Sequence, residues 1–136
     1  MPNTGVSRQS LRYLMWVIHS RDTWMHRLDI CRATQRAFQQ TREHDGRIAA
    51  LVMRDVGILL QKKLGGRAVR IELSGVAGGA WQVGPGAAAA TIQMDVLDFN
   101  IFASGRYTQE EARALATLAG DTALAETAFR SILILY

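Results

Sequence analysis

Apolar residues in the first third of the chain recur at the spacing of an α-helix. Leu11 and Ile18 fall on one side of such a helix, and at about 100° per residue the same side continues through Asp22 and His26. A second apolar stripe consists of Val17, Trp24, Leu28 and Cys31. The pattern predicts one long helix that starts near residue 7 or 10 and ends near residue 38. Because it carries two apolar stripes, this helix needs cover on more than one side.

A second helix is predicted after a polar break. Its apolar residues recur at helical spacing from Ile48 to Leu64. Asp45 is its predicted N-cap, and the Gly65-Gly66 pair ends it because glycine readily adopts the left-handed conformation found at helix ends.

Three strands are predicted beyond this helix, because the apolar residues then recur at every second position. Residues 69–73 show this period, and residues 80–83, around Trp81, and 88–94 are predicted to be two further strands. Glycine-rich segments at 75–79 and 84–86 separate them and are predicted to be hairpin turns, so that the strands form an antiparallel meander. Neither segment is followed by Lys-Ser or Lys-Thr, which argues against a phosphate-binding loop.

Three short helices are predicted in the last part of the chain. Asp95 caps the first, and Thr108 with Glu111 forms a capping box at the start of the second, which ends near position 118. The third begins at Thr122 and runs into the apolar residues 132–136, which either end the helix or add a strand. The predicted fold class is therefore α+β, with a long N-terminal helix followed by a small antiparallel sheet that has helices on one face.

Composition places the chain among folded proteins. It has 136 residues, of which 49% are hydrophobic and 21% charged, as expected for one domain or for a compact domain with an appended helix. The single cysteine, Cys31, excludes an intramolecular disulfide framework and favours the cytoplasm. No apolar run has the length of a membrane span and no signal peptide is recognisable, so a membrane partner is not expected.

The net charge of +4 is unevenly distributed, with an excess of basic residues as far as Arg70 and of acidic residues after it. A basic half can indicate a nucleic-acid partner. Here the arginines scatter around the predicted first helix, and no aromatic platform alternates with them as in single-strand binders. This pattern argues against nucleic-acid binding.

Asp22 and His26 are the candidate chemical site in the first helix. They are four residues apart and are therefore neighbours on the helix surface. This spacing suits an ion pair, and it also suits two ligands of one metal ion. Asp29 either orients such a ligand through a hydrogen bond or is a solvated carboxylate.

The segment around this pair resembles a known family. Residues 21–34, Arg-Asp-Thr-Trp-Met-His-Arg-Leu-Asp-Ile-Cys-Arg-Ala-Thr, resemble the signature of the mycothiol-dependent maleylpyruvate isomerase family. Residues 43–48, 69–75, 77–81 and 104–106 resemble later segments of that family in the same order. The resemblance covers about residues 10 to 106, and its first block is the most specific.

The resemblance implies a fold, a metal and a reaction. Members of the family pair a DinB-like four-helix metal domain with a small α+β domain similar to sterol carrier proteins. Their metal, usually zinc, is held by a histidine early in the bundle and by an acid-x-x-x-His pair on the fourth helix, which matches Asp22 and His26. The thiol of mycothiol and a dicarboxylate are the implied small-molecule partners. Arg106 is a candidate to meet the anionic substrate, and the alternative is a surface arginine.

The chain also departs from the family, because it lacks the three helices and the first histidine that precede the fourth helix there. We therefore expect residues 1–42 to be a remnant metal-binding helix of the bundle and residues 43–136 to be the C-terminal α+β domain. Such a truncated member is not expected to be active alone. The alternative is a non-enzymatic module of sterol-carrier type that binds a small apolar molecule or mediates dimerisation. A pocket among Phe99, Phe102, Trp81 and the last helix would favour this alternative.

The apolar stripes of the first helix also allow a prediction of the oligomeric state. Without its bundle partners it leaves apolar stripes short of cover, and exposed stripes of this kind indicate a partner surface. We therefore predict a homodimer in which the first helices pack together, which could bring two Asp22/His26 pairs into one site.

Overall fold

The computed structural model describes residues 10–134 of the chain. These residues form two compact units that are divided between Phe38 and Gln39. None of the helices in the described part is long and apolar enough to cross a membrane.

The first unit is a helical segment with a change of helix type inside it. Its parts are α1 (Leu11–Tyr13), a π-helical turn (Leu14–Ile18) and α2 (His19–Ala33). A π-helical turn holds about one residue more than an α-helical turn, so it shifts the phase of the residues after it by roughly 100°. Asp22 therefore does not continue the stripe of Leu11, and the prediction of one uninterrupted face was wrong.

The helix ends earlier than predicted, at Ala33 rather than near Phe38. Gln35 adopts the left-handed conformation with φ 55°, and the Arg36 N–H donates to the Cys31 carbonyl at 2.9 Å. This is the cap in which glycine is usual. The chain then turns back, so that the ring of Phe38 meets Trp24 edge to face at 5.3 Å.

The second unit begins with helix α3 (His44–Gln61). Helical bonds from the N–H groups of Asp45 and Gly46 reach back to the carbonyls of Thr41 and Arg42. The Thr41 hydroxyl accepts from the His44 N–H at 3.2 Å, and the Asp45 carboxylate accepts from the Thr41 N–H at 2.5 Å. Thr41 is therefore the capping residue, and the prediction that Asp45 is the N-cap was wrong by one turn.

The sheet has four strands: β1 (Ala68–Ser74), β2 (Gly79–Val83), β3 (Ala88–Asp95) and β4 (Thr117–Gly120). Their order is β2-β1-β3-β4. The β1–β2 and β3–β4 pairs are antiparallel, whereas β1 and β3 are parallel. The α+β class is confirmed, but the sheet is mixed rather than an antiparallel meander.

The parallel pair changes the role of the second glycine-rich segment. Because β1 lies between β2 and β3, residues 84–87 must cross the start of β1. Gly84 has φ +96°, and a Cβ on it would collide with the carbonyl oxygen of Arg67. This segment is therefore a crossing connection and not the predicted hairpin turn. The first segment does form a hairpin turn, closed by the Gly78 N–H donating to the Gly75 carbonyl at 3.0 Å.

Three helices follow: α4 (Val96–Ala103), α5 (Gln109–Leu115) and α6 (Thr122–Arg130). The predicted cap Asp95 and the capping box of Thr108 and Glu111 are confirmed. Strand β4 occupies positions where the α5 helix was predicted to continue. After α6 the Ile134 N–H donates to the Ala103 carbonyl at 2.9 Å, and the last two positions of the predicted helix end or strand lie outside the described residues.

The core of the second unit lies against one face of the sheet, where alternate residues of β1 and β3 are buried: Val69, Ile71, Leu73, Ala90, Ile92 and Met94. Helices α4 and α6 contact these two strands. The opposite face is polar and accessible at Arg70, Glu72 and Gln93. The helices therefore cover a hydrophobic face, and a hydrophilic face remains uncovered within this unit.

Candidate functional site

Asp22 and His26 lie on consecutive turns of α2. The Asp22 Oδ1 and the His26 Nε2 are 3.4 Å apart. Their side chains are 49% and 65% exposed respectively, so both are accessible from solvent. The structure thus brings together the two residues whose spacing indicated an ion pair or a pair of metal ligands.

The number of donors limits what this pair can do by itself. Among residues 10–134 no group of three or more His, Cys, Asp or Glu side chains is placed to hold a metal ion. A catalytic zinc ion usually has three protein ligands. Asp22 and His26 have the right chemistry for zinc, one carboxylate and one imidazole, but they do not amount to a catalytic centre.

Two further groups extend the pair along the helix. His19 lies three residues before Asp22 and is exposed, and Asp29 lies three residues after His26 and is half-buried. All four residues fall within an arc of about 80° of α2. His19 and His26 are two turns apart, about 10 Å along the axis, which is too far for both to bind one ion within the same helix.

Arg106, the candidate for an anionic substrate, lies in the second unit just after α4. Gly105 has φ 80°, and the Arg106 N–H donates to the Ile101 carbonyl at 3.1 Å, which closes the C-terminal cap of this helix. The side chain is on the exposed surface. The backbone of Arg106 therefore has a defined structural role, and a role of its guanidinium with substrate stays a prediction.

The second unit contains a groove between α3 and the edge strand β2. It has a volume of about 350 Å³, and its apolar walls come from Met53, Gly57 and Ile58 on the helix and from Trp81 and Val83 on the strand. Arg54, Gln61 and Gln82 add polar groups at its margin. The groove combines an apolar wall with a few polar groups, as small-molecule sites do.

Phe99 and Phe102, which were expected to line a pocket with Trp81 and the last helix, are buried in the core instead. Phe99 is fully buried, and Phe102 stacks on Phe129 of α6 with ring centroids 4.7 Å apart. These rings fill the core, while Trp81 lies beside α3. The sequence could not reveal this because the position of β2 at the sheet edge depends on the parallel pairing of β1 with β3.

The uncovered sheet face holds one organised carboxylate, Glu72. One of its oxygens accepts from Arg70 Nε at 2.6 Å and the other accepts from Gln93 Nε2 at 2.8 Å. The Gln93 hydrogen bond, followed by that of Arg70, holds the pKa of Glu72 below its ordinary value. Both oxygens are engaged and the group stays ionised, so it is poorly suited to act as a general base.

Comparison with models of known protein families and with curated proteins gave no match.

Proposed function

We propose that the protein binds a divalent metal ion, in the first place zinc, through Asp22 and His26. The observation that carries this proposal is the approach of the two donors to 3.4 Å on an accessible helix face. A carboxylate and an imidazole on adjacent turns are suitable zinc ligands. The resemblance of residues 21–34 to the mycothiol-dependent maleylpyruvate isomerase signature supports the same two ligands.

On this proposal the chain is a family member represented by the fourth bundle helix and the C-terminal domain, and it acts in the cytoplasm. Two donors are too few for catalysis, so the chain alone is not an active isomerase. Further ligands from outside the chain would complete the site. The complete assembly would serve isomerisation or transfer that depends on the thiol of mycothiol, with Arg106 available for a dicarboxylate substrate.

Zinc titration by calorimetry tests this proposal. We expect the full chain to bind zinc and both His26→Ala and Asp22→Asn to lose at least about tenfold in affinity, since each removes one of two ligands. His44→Ala is the matched control, because His44 lies at the start of α3 and its loss should leave binding unchanged. Equal affinities in the full chain and in His26→Ala would contradict the proposal.

A second candidate function is supported by the groove between α3 and β2. We propose that it holds a small, largely apolar molecule, as the sterol-carrier alternative implies. Its volume of about 350 Å³ lies at the lower end of the range typical of ligand pockets. The aromatic wall is Trp81, which is only half-buried and therefore available for contact.

NMR titration with medium-chain fatty acids tests this candidate. We expect the indole N–H signal of Trp81 to shift while those of Trp16 and Trp24 stay in place. Ile58→Glu should abolish the shift, because it puts a charge in the apolar wall. An unchanged Trp81 signal at millimolar ligand would rule the groove out as a site for such molecules.

A further inference from the structure

We infer that two copies of this chain share one divalent metal site, formed where their α2 helices pack antiparallel with Asp22 and His26 of each copy at the centre. This inference rests on the proposed metal-binding function and goes beyond it by naming the partner that supplies the missing ligands. It follows from the pattern of one helix face. We call this the His–Asp face, and it consists of Ile18, His19, Asp22, His26, Asp29 and Ile30.

The His–Asp face is self-complementary when two copies are related by a two-fold axis at the level of Trp24, which is the midpoint of the face along the helix. When two copies of a helix pack antiparallel about a two-fold axis at Trp24, each residue lies level with the residue equally far on the other side of Trp24. Asp22 then lies level with the second copy's equivalent of His26, and His19 lies level with that of Asp29. Every carboxylate on the face thus meets an imidazole, and no two groups of the same kind are level.

The ends of the face are apolar and match in the same way. Ile18 lies level with the second copy's equivalent of Ile30. Ile30 is 63% exposed. Large apolar side chains at this exposure favour a partner surface. One apolar layer, formed by Ile18 and the second copy's equivalent of Ile30, would therefore border the polar centre at each end.

The centre of this arrangement has the donor count that one chain lacks. Asp22 and His26 lie about 3 Å to either side of Trp24 along the axis, so the four side chains of two copies fall within about 6 Å along the helix pair. Two carboxylates and two imidazoles make four donors, the number that a zinc ion takes. Shared ligation also explains why an accessible pair with zinc chemistry lies on a helix where, among the described residues, no third donor is placed to hold the same ion.

Sedimentation velocity of the full chain with and without zinc, combined with zinc stoichiometry from calorimetry, tests the inference. We expect one zinc ion per two chains. Since the ion would bind only the dimer, saturating zinc should strengthen dimerisation by at least about tenfold. Chelation with EDTA should reverse the effect, and His26→Ala should abolish it.

Ile30→Glu separates a shared site from a local one. It leaves Asp22 and His26 in place and changes an exposed side chain, so the fold should be preserved. We expect it to abolish zinc-dependent dimerisation and to weaken zinc binding at least about tenfold, because a carboxylate would lie in the apolar layer. Ile58→Glu is the matched control, since Ile58 is 51% exposed on α3, and it should keep both properties.

Three other outcomes would overturn the inference, and they differ in whether the proposed metal-binding function survives. One zinc ion per chain in a monomer would overturn the shared site and leave the proposed metal-binding function standing. A dimer whose association is unaffected by zinc and by His26→Ala would overturn the shared site as well. Absence of zinc binding in the unaltered chain would overturn the inference together with the proposed function.

Discussion

At the scale of single residues, the clearest electrostatic feature is Glu72 on the uncovered sheet face. Hydrogen bonds from Gln93 and then Arg70 favour its ionised form and keep its pKa below the ordinary value. A carboxyl group whose pKa is lower in the folded state stabilises the fold above its unfolded pKa. That contribution is lost as the pH falls through the lowered pKa.

We expect Gln93→Leu to raise the pKa of Glu72 toward its ordinary value, because the largest cause of the shift is removed. The pKa is measured by NMR titration of the Glu72 side chain. The same variant should lose less stability than the unaltered protein as the pH falls through the acid range, since it has less of this contribution to lose. Gln82→Leu is the control, because Gln82 donates to backbone carbonyls and not to Glu72. An unchanged pKa in Gln93→Leu would refute this account.

At the scale of secondary-structure elements, the connection between β2 and β3 is the segment that most restricts which residue types can occupy its positions. Gly84 and Gly86 both have positive φ, at +96° and +78°. A Cβ at Gly84 would strike the Arg67 backbone, whereas a Cβ at Gly86 would have no atom within 4 Å. The two glycines therefore separate the effect of conformation from the effect of close approach.

We expect Gly86→Ala to destabilise the protein by about 1 kcal/mol, the usual effect of a side chain at positive φ. Gly84→Ala should cost a further ~2 kcal/mol or more, because it also forces the crossing away from β1. Urea denaturation of both variants measures the difference. Equal decreases in the free energy of unfolding of the two variants would mean that the backbone at Gly84 has space for a Cβ beside β1.

Local sequence patterns predicted some features of these elements and not others. The caps at Asp95 and Thr108 were predictable because they depend on residues only two or three positions apart. The Asp22/His26 contact was predictable for the same reason. The parallel pairing of β1 with β3 was not, since alternation of apolar and polar residues is the same for either strand direction. The π-helical turn was missed because a fixed period of 3.6 residues was assumed.

The groove shows the same limit for the candidate sites. Trp81 was expected beside Phe99, Phe102 and the last helix, whereas its neighbours in the groove, Met53 and Ile58, come from α3, which precedes the whole sheet in the chain. Which helix lies beside β2 depends on strand order, and strand order was the part of the fold that local spacing left open.

At the scale of the whole molecule, the two units differ in how much core each contains. Large side chains such as Phe99, Phe129, Ile71 and Ile92 are fully buried in the second unit. The first unit is a helical segment that turns back at Phe38. A single helix of this length is marginally stable in water, whereas a sheet with helices packed on it can be stable alone.

We expect a chain of residues 39–136 to fold by itself, with a cooperative thermal transition and the circular dichroism of a mixed α and β protein. Residues 1–38 alone should show far less helix than they have in the full chain. Circular dichroism of the two pieces and of the full chain makes the comparison. A broad, non-cooperative transition of residues 39–136 would show that its core depends on the first unit.

The crossing connection also bears on the order in which the sheet is assembled during synthesis. β1 is the first strand to leave the ribosome, yet it ends in the interior of the sheet, with β2 on one side and β3 on the other. The β1–β2 hairpin can close as soon as both strands have emerged, because its contacts are local. Until β3 arrives, the far edge of β1 exposes unpaired backbone groups to any other nascent strand. The interval between translation of Val83 and of Ala88 is only a few residues long, so the chain itself supplies the strand that closes this edge.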